Sequence, residues 1–506
     1  MKPPWPLPTR AAPPRGSASG AERDSGAGAE RDSGAGAERD SGAGAAGQDG
    51  ASPPSSPRPL LGRAGRTLAL LFPQAAAARR PRGAAVLTGL ADLAAIALGG
   101  WVMLARQTGV PAWQTLIAED RSVFFPQALV QSWGSLTRPY AGYLQLYPRL
   151  IAEIATRFPL RDAAAPFAVA GALTAACTAV FVFHASSGHI RRPELRLLLA
   201  ASVLLLPTAP LSIANSGVDS PWYLLFGVFW ALLWRPRSRT GKAVAALLCF
   251  AAASSNVLAA LYIPLAAARV IALPRVREQA ATIGLVAGGL VQLPAVLTLS
   301  RRGQPTTLAR ALAFYGREVL LGAVAGYHGA MHLRAGFGLT GATVAAACVV
   351  AALAAWALLR GGPRVRVLVV TGVILGLILT LAPVLITGWV ANLPLPRGAI
   401  YANGTRYAQA PILIIYSWVL VVADAFLRSG GRRAVRAVHA TVAVALIAGL
   451  VTIWATDFRY PDARSVARPW SLTVARDERA CAREPAREVK LVNVRLPCSR
   501  LFTLNE

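Results

Sequence analysis

Long apolar runs separated by short arginine-bearing loops dominate the chain from residue 84 to residue 455. A helix crossing a bilayer core needs about 20 apolar residues. The runs that reach or approach that length are 84–105, 164–185, 197–213, 220–234, 243–255, 257–273, 281–299, 338–359, 365–387, 409–427 and 437–455. They predict an all-α polytopic membrane protein with about eleven transmembrane helices. The two runs flanking Ser254-Ser255-Asn256 are short, and reading them as one broken helix would invert everything downstream.

Loop charge decides between the two readings, because Arg and Lys accumulate on the cytoplasmic side. With the N-terminus inside, the cytoplasmic loops carry Arg191/Arg192/Arg196, Arg235/Arg237/Arg239/Lys242, Arg275/Arg277, Arg360/Arg364/Arg366 and Arg428/Arg432/Arg433/Arg436. Only the eleven-span division keeps all five clusters on one side. It leaves segments 106–163, 215–220, 300–337 and 388–408 outside, together with a small extracytoplasmic tail, 456–506. In 300–337, Arg317-Glu318 and His328/His332 interrupt the apolar stretch Val319–Ala330, which predicts an interfacial or re-entrant helix.

Composition agrees with this division. The 506 residues are 54% hydrophobic and 15% charged, too apolar for an ordinary soluble globule. The net charge of +28 resides largely in loops and has no accompanying basic and aromatic surface, so nucleic acid is not an expected partner. The Arg/Ala/Gly bias resembles that of a high-GC bacterial genome and says nothing about function; the expected location is a bacterial plasma membrane. Residues 1–82 are rich in Pro, Gly, Ser and Arg and include an octad beginning at Ala21 that recurs at Ala29 and Ala37. They predict a disordered cytoplasmic arm with no core. Cys177, Cys249 and Cys348 sit in apolar runs as small hydrophobes, whereas Cys481 and Cys498 in the outer tail can form a disulfide.

The outer loops carry the candidate chemistry. Glu119-Asp120 closely follows the first span. Either carboxylate could act as a general base or hold a divalent metal against a phosphate, or the pair could cap a helix or bind Arg121. Further on, Arg138-Pro139-Tyr140-Ala141-Gly142-Tyr143 and Tyr147-Pro148-Arg149 combine guanidinium groups suited to phosphate with rings that could flank a sugar. The tyrosines equally fit an interfacial aromatic belt. Outer arginines at Arg301, Arg302, Arg310, Arg317, Arg334, Arg397 and Arg406 run against the positive-inside trend and suit either a lipid phosphate site or anionic headgroups. His328 and His332 have i, i+4 spacing without the adjacent Glu of a zinc-protease helix.

In this order the segments resemble those of bacterial C-type (GT-C) polytopic glycosyltransferases: the first span, Glu119-Asp120, the Tyr140–Tyr143 and Pro148-Arg149 stretch, Asn215 through Ser220-Pro221-Trp222-Tyr223, and Gly404-Thr405-Arg406-Tyr407 before a late helix. The resemblance implies transfer of a sugar from a polyprenyl-phosphate donor to an extracytoplasmic glycan, lipid or protein acceptor. It makes Asp120 the catalytic carboxylate, with Glu119 second, and Arg138, Tyr140, Tyr143, Arg149, Arg406 and Tyr407 the substrate and phosphate groups. Asp219 is the only further acid in the short outer turns, which favours a metal-independent inverting reaction over a divalent-metal one. A transporter or flippase for a lipid-linked or anionic precursor is the alternative, although polar groups at mid-membrane and internal repeats are its usual marks. A non-catalytic envelope-assembly protein is the third.

Overall fold

The structure is a computed structural model that describes residues 65–74, 82–209, 213–298, 304–388, 401, 404–429, 433–459, 462, 464–485, 488–491 and 493–504. Most of the predicted N-terminal arm, together with Arg301, Arg302 and Arg397, lies outside the described residues. Among those described, helices predominate and the only sheet is a two-stranded hairpin. Seven helices are long and apolar enough to cross a membrane, within Val86–Ala105, Leu160–Gly188, Ala280–Leu297, His328–Arg360, Pro363–Thr387, Arg406–Leu427 and Arg433–Thr456. The protein is therefore an all-α membrane protein. Four other predicted spans are shorter helices: Pro193–Leu204, Ser220–Leu233, Arg239–Ser255 and a mixed 3-10 and α segment, Val257–Ala272.

In chain order, α1 (Arg82–Ala105) leads into a loop holding a π-helical turn (Asp120–Phe124), α2 (Phe125–Gln131) and α3 (Leu146–Ala155). Next come α4 (Ala164–Ala185), α5 (Pro193–Leu204), α6 (Ser220–Leu233), α7 (Arg239–Ser255), α8 (Ile263–Ala272) and α9 (Ala280–Thr298). The segment Leu308–Ala325 is helical throughout, with a π-helical stretch at Tyr315–Leu321, and precedes α10 (His328–Arg360), α11 (Pro363–Thr387), α12 (Arg406–Leu427) and α13 (Arg433–Thr456). Within α10, Gly338 has φ +69° and divides a short N-terminal portion from the long apolar one. The central helix is α12, whose Ser417 Oγ accepts from Trp230 Nε1 of α6 at 3.1 Å. By contrast Leu87, Leu90, Leu93, Leu98 and Trp101 of α1 are exposed, an arrangement suited to lipid.

Direct contacts gather the basic loops at one end of the bundle. The Asp424 carboxylate accepts from the backbone N–H groups of Arg191 and Arg192, each at 3.2 Å, and pairs with Arg428 at 2.8 Å. Arg235 pairs with Glu278 at 2.8 Å and donates to Phe72 O, while His189 meets Leu71 O. The break at Asn256 is real: its Oδ1 accepts from Leu258 N at 3.0 Å, and the chain then doubles back until Arg269 donates to Leu232 O near the basic end. Both ends of the 308–325 segment lie at the opposite end. There Gln304 N donates to Thr387 O, and Asp457 accepts from the N–H groups of Tyr327 and His328. His328 Nδ1 also meets Asp457 Oδ1 at 2.7 Å, while His332 is exposed.

The tail and the segment between α1 and α4 build a second core. Trp470, Val474, Leu496 and Leu501 pack with Phe124, Phe125, Leu129 and Phe167. The tail comprises α14 (Trp470–Arg483), β1 (Glu488–Leu491) paired antiparallel with β2 (Val494–Pro497), and α15 (Cys498–Thr503). Trp470 Nε1 donates to Leu160 O at 2.6 Å and Arg500 donates to Leu129 O at 2.7 Å. A disulfide joins Cys481 to Cys498 across a separation of 17 residues. Replacing both with Ser should lower unfolding stability by about 3 kcal/mol from loop-closure entropy. Thermal unfolding in detergent under non-reducing conditions would show this as a lowered midpoint, and an unchanged midpoint would remove the bridge as a support of the tail.

Candidate functional site

Opposite the basic end lies a cavity of about 620 Å³. Its walls include Glu119, Pro139 to Tyr143, Asp219, Trp222, Asn256, Arg406 and Tyr407, with Leu258, Pro383 and Ile386 as apolar lining. One end of the wall is a tight hairpin. Tyr140 and Tyr143 exchange backbone hydrogen bonds of 3.0 and 3.3 Å across Ala141 and Gly142, both at positive φ (+53° and +89°). Such a two-residue turn needs φ > 0 twice, which Gly supplies freely and Ala only with strain. Ala118, immediately before Glu119, is also held at φ +45°. Tyr140 packs edge-on against Phe124, with centroids 5.6 Å apart, which fixes its ring at the rim.

The floor is the turn 215–219, brought against α4 by two glycines. A Cβ on Gly171 would lie 2.7 Å from Ser216 N, and one on Gly217 would meet Phe167 at 2.7 Å and Asp120 Oδ1 at 3.1 Å. Asp120 is buried behind this turn. Its Oδ2 accepts from Gly217 N at 2.9 Å and lies 3.2 Å from Ser216 Oγ, which is itself 3.3 Å from Asp219 Oδ2. On the cavity side, Asp219 Oδ1 faces Arg406 Nη1 at 3.6 Å, and Trp222 meets Tyr407 edge-on with centroids 5.1 Å apart. Burial pushes the Asp120 carboxyl up to about 8, helped by the Asp219 charge and opposed by Gly217, Arg464 and Ser216. Burial raises Asp219 to about 6 as well, with Arg406 opposing and Glu119 adding to the rise.

One tail arginine holds the two halves of this site together. Arg464 is buried and donates to the carbonyls of Ala112 and Thr115 in the segment after α1 and to those of Ala214 and Asn215 at the floor turn, at 2.6–3.2 Å, and also to Thr115 Oγ1 at 2.7 Å. Beside it Val110 N donates to Ser465 O, and Gly109 at φ +63° permits that approach.

Of the residues singled out from the sequence, Glu119, Tyr140, Tyr143, Arg406 and Tyr407 line the cavity. Asp120 stands behind its wall rather than on it. Arg138 is exposed outside the lining. Arg149 is fully buried, donating to Gln127 Oε1 at 2.9 Å with its guanidinium 5.1 Å from the Phe124 ring centroid. Both therefore lie away from the cavity surface on which a phosphate role was expected. In the sequence Asp219 stands out only as a lone acid, and Trp222 and Ser216 only within the stretch Asn215–Tyr223, whereas Arg464 carries no signal there. Among the described residues, no group of three or more Asp, Glu, His or Cys side chains is placed to hold a metal. Compared with protein-family models, curated proteins and solved structures, the chain shows no significant match to any of them.

Two outcomes follow from the buried groups. Removing the Arg464 guanidinium (Arg464→Ala) leaves several buried carbonyls unsatisfied and should cost about 3 kcal/mol or more; thermal unfolding in detergent measures it, and a loss below about 1 kcal/mol would contradict the clamp. Asp120 and Asp219 bind protons more tightly in the folded state than at their ordinary value of 3.8. Their contribution to stability is full below that value and is lost as pH rises, through about 6 for Asp219 and about 8 for Asp120. Unfolding midpoints should fall across this window, and Asp120→Asn should flatten its upper part.

Proposed function

We propose that the protein is a bacterial plasma-membrane glycosyltransferase of the C-type architecture. It would cross the membrane eleven times and move a sugar from a polyprenyl-phosphate donor to an extracytoplasmic acceptor. Support for eleven crossings comes from the four shorter helices, each of which joins the basic end to the cavity end, and from the 308–325 segment, which returns to the end where it began. On this topology the N-terminus is cytoplasmic and the tail extracytoplasmic.

The observation that carries the functional reading is one cavity presenting a carboxylate, a guanidinium, aromatic faces and an apolar strip together. Glu119 is half-buried and makes no side-chain hydrogen bond or ion pair among the described residues, leaving it free to accept a proton from an acceptor hydroxyl. The hydroxyl oxygen then bonds to the anomeric carbon as the bond from that carbon to the phosphate oxygen breaks, and the phosphate leaves with the electron pair. Arg406 answers the charge that develops on it. Asp219 keeps Arg406 in place, Tyr140, Tyr143 and Trp222 offer faces to the sugar, and Leu258, Pro383 and Ile386 suit the first isoprene units. The reaction so described is a single displacement with inversion, without a metal.

Transfer of radiolabelled sugar from a panel of polyprenyl-phosphate sugars tests the proposal in membranes containing equal amounts of each variant. Glu119→Gln should lose at least about 100-fold in rate, the range expected when a general base is removed. Arg406→Ala should lose a comparable amount and Arg406→Lys less. Full activity in Glu119→Gln would rule out the base assignment. Translocation of a lipid-linked sugar by the wild type with no transfer across the panel would favour a flippase instead.

A further inference from the structure

Two buried carboxyls bridged by a single hydroxyl form a proton-holding unit. Ser216 Oγ lies 3.2 Å from Asp120 Oδ2 and 3.3 Å from Asp219 Oδ2, and a hydroxyl has one hydrogen to give. With both acids ionised, Ser216 could donate to only one of them, and two buried negative charges would lie together at this turn. We propose that Asp120, Ser216 and Asp219 share one proton at neutral pH, and that this proton moves toward Asp219 when Arg406 turns to an anion in the cavity. The first half of the proposal stands on the geometry alone; the second rests on the glycosyl-transfer reading.

The movement balances within the chain. Asp120 Oδ2–H gives its proton to Ser216 Oγ as Ser216 gives its own to Asp219 Oδ2. Asp120 becomes the carboxylate, Asp219 the acid and the hydroxyl is regenerated. No outside acid or base takes part. Before the shift Asp219 is ionised and faces Arg406 at 3.6 Å; after it Asp219 is neutral and releases the guanidinium, while the new Asp120 carboxylate keeps the Gly217 N–H and faces the charge of Arg464. The order in which burial raises the two carboxyls agrees with a resting proton on Asp120. The other titratable or charged groups that face the unit are Glu119 from the first outer loop, Arg406 from α12, Arg464 from the tail and Tyr223 from α6. None of these hydrogen-bonds Ser216 among the described residues.

Asp120 and Ser216 are thus positioning residues, and their test needs a readout other than turnover. Infrared difference spectroscopy of the full chain in nanodiscs, titrated with pH and probed with inorganic pyrophosphate, reads the proton directly. The wild type should show a protonated-carboxyl C=O stretch at neutral pH that titrates away near pH 8 and shifts when pyrophosphate is added. Asp120→Asn should abolish the band at neutral pH. Ser216→Ala should keep a protonated carboxyl but move its titration midpoint and lose the response to pyrophosphate. If Asp120→Asn does not fold, the midpoint change in Ser216→Ala carries the test. Absence of the band in folded wild type, its persistence in folded Asp120→Asn, or an unchanged midpoint and response in Ser216→Ala would overturn the shared proton. A band without any transferase activity would leave the unit standing and remove only its proposed catalytic setting.

Discussion

Everything at the cavity end depends on a cation taken out of water. Arg464 reaches from the tail between the loop after α1 and the floor turn, and its N–H groups go to backbone carbonyls on both sides. A buried charge is costly unless its donors are used. Once Arg464 is seated, neither the loop nor the turn can move without stranding donors and acceptors together. Arg106 does similar work nearby, donating to the carbonyls of Leu204, Leu206 and Phe458, and so ties the end of α1 to α5 and to the start of the tail. Backbone carbonyls thus take the place of counterions, which leaves the scarce carboxylates free for the site.

That scarcity shapes the chemistry. The chain has 24 acids against 52 Lys and Arg residues, yet Glu119, Asp120 and Asp219 converge on one corner beside Arg406. Strain collects in the same place. Ala118, Ala141 and Asn215 all have positive φ, and a π-helical turn carries Asp120 away from the cavity. Such conformations persist only where the surroundings over-determine them, here the disulfide-closed tail core and the two close glycine contacts. The resulting cavity is lined by both polar and apolar groups.

Much of the scaffold could be read in the sequence, because apolar run length and loop arginines are strong local signals. The break at Asn256 and the gathering of basic loops at one end appear where the pattern predicts them, and both ends of segment 308–325 lie at the opposite end. Four helices came out shorter than a full span, since their apolar runs fall short of about 20 residues. The site was only half legible. Glu119 and Asp120 are neighbours, and which one faces the cavity is set by the π-helical turn, a feature that leaves no periodic trace. Asp219 and Ser216 join Asp120 from about a hundred residues away, through a turn whose seat depends on Gly171. Arg464 is one of many arginines in the tail, and nothing adjacent to it marks it as buried.

The most direct measurement is an experimental structure of the full chain in nanodiscs with a non-transferable polyprenyl-phosphate sugar analogue. Density for the phosphate within hydrogen-bond distance of Arg406, with the sugar between Glu119 and the Tyr140–Tyr143 hairpin, is the predicted result. A donor bound elsewhere on the protein, leaving this cavity filled only with water, would contradict the assignment of the site.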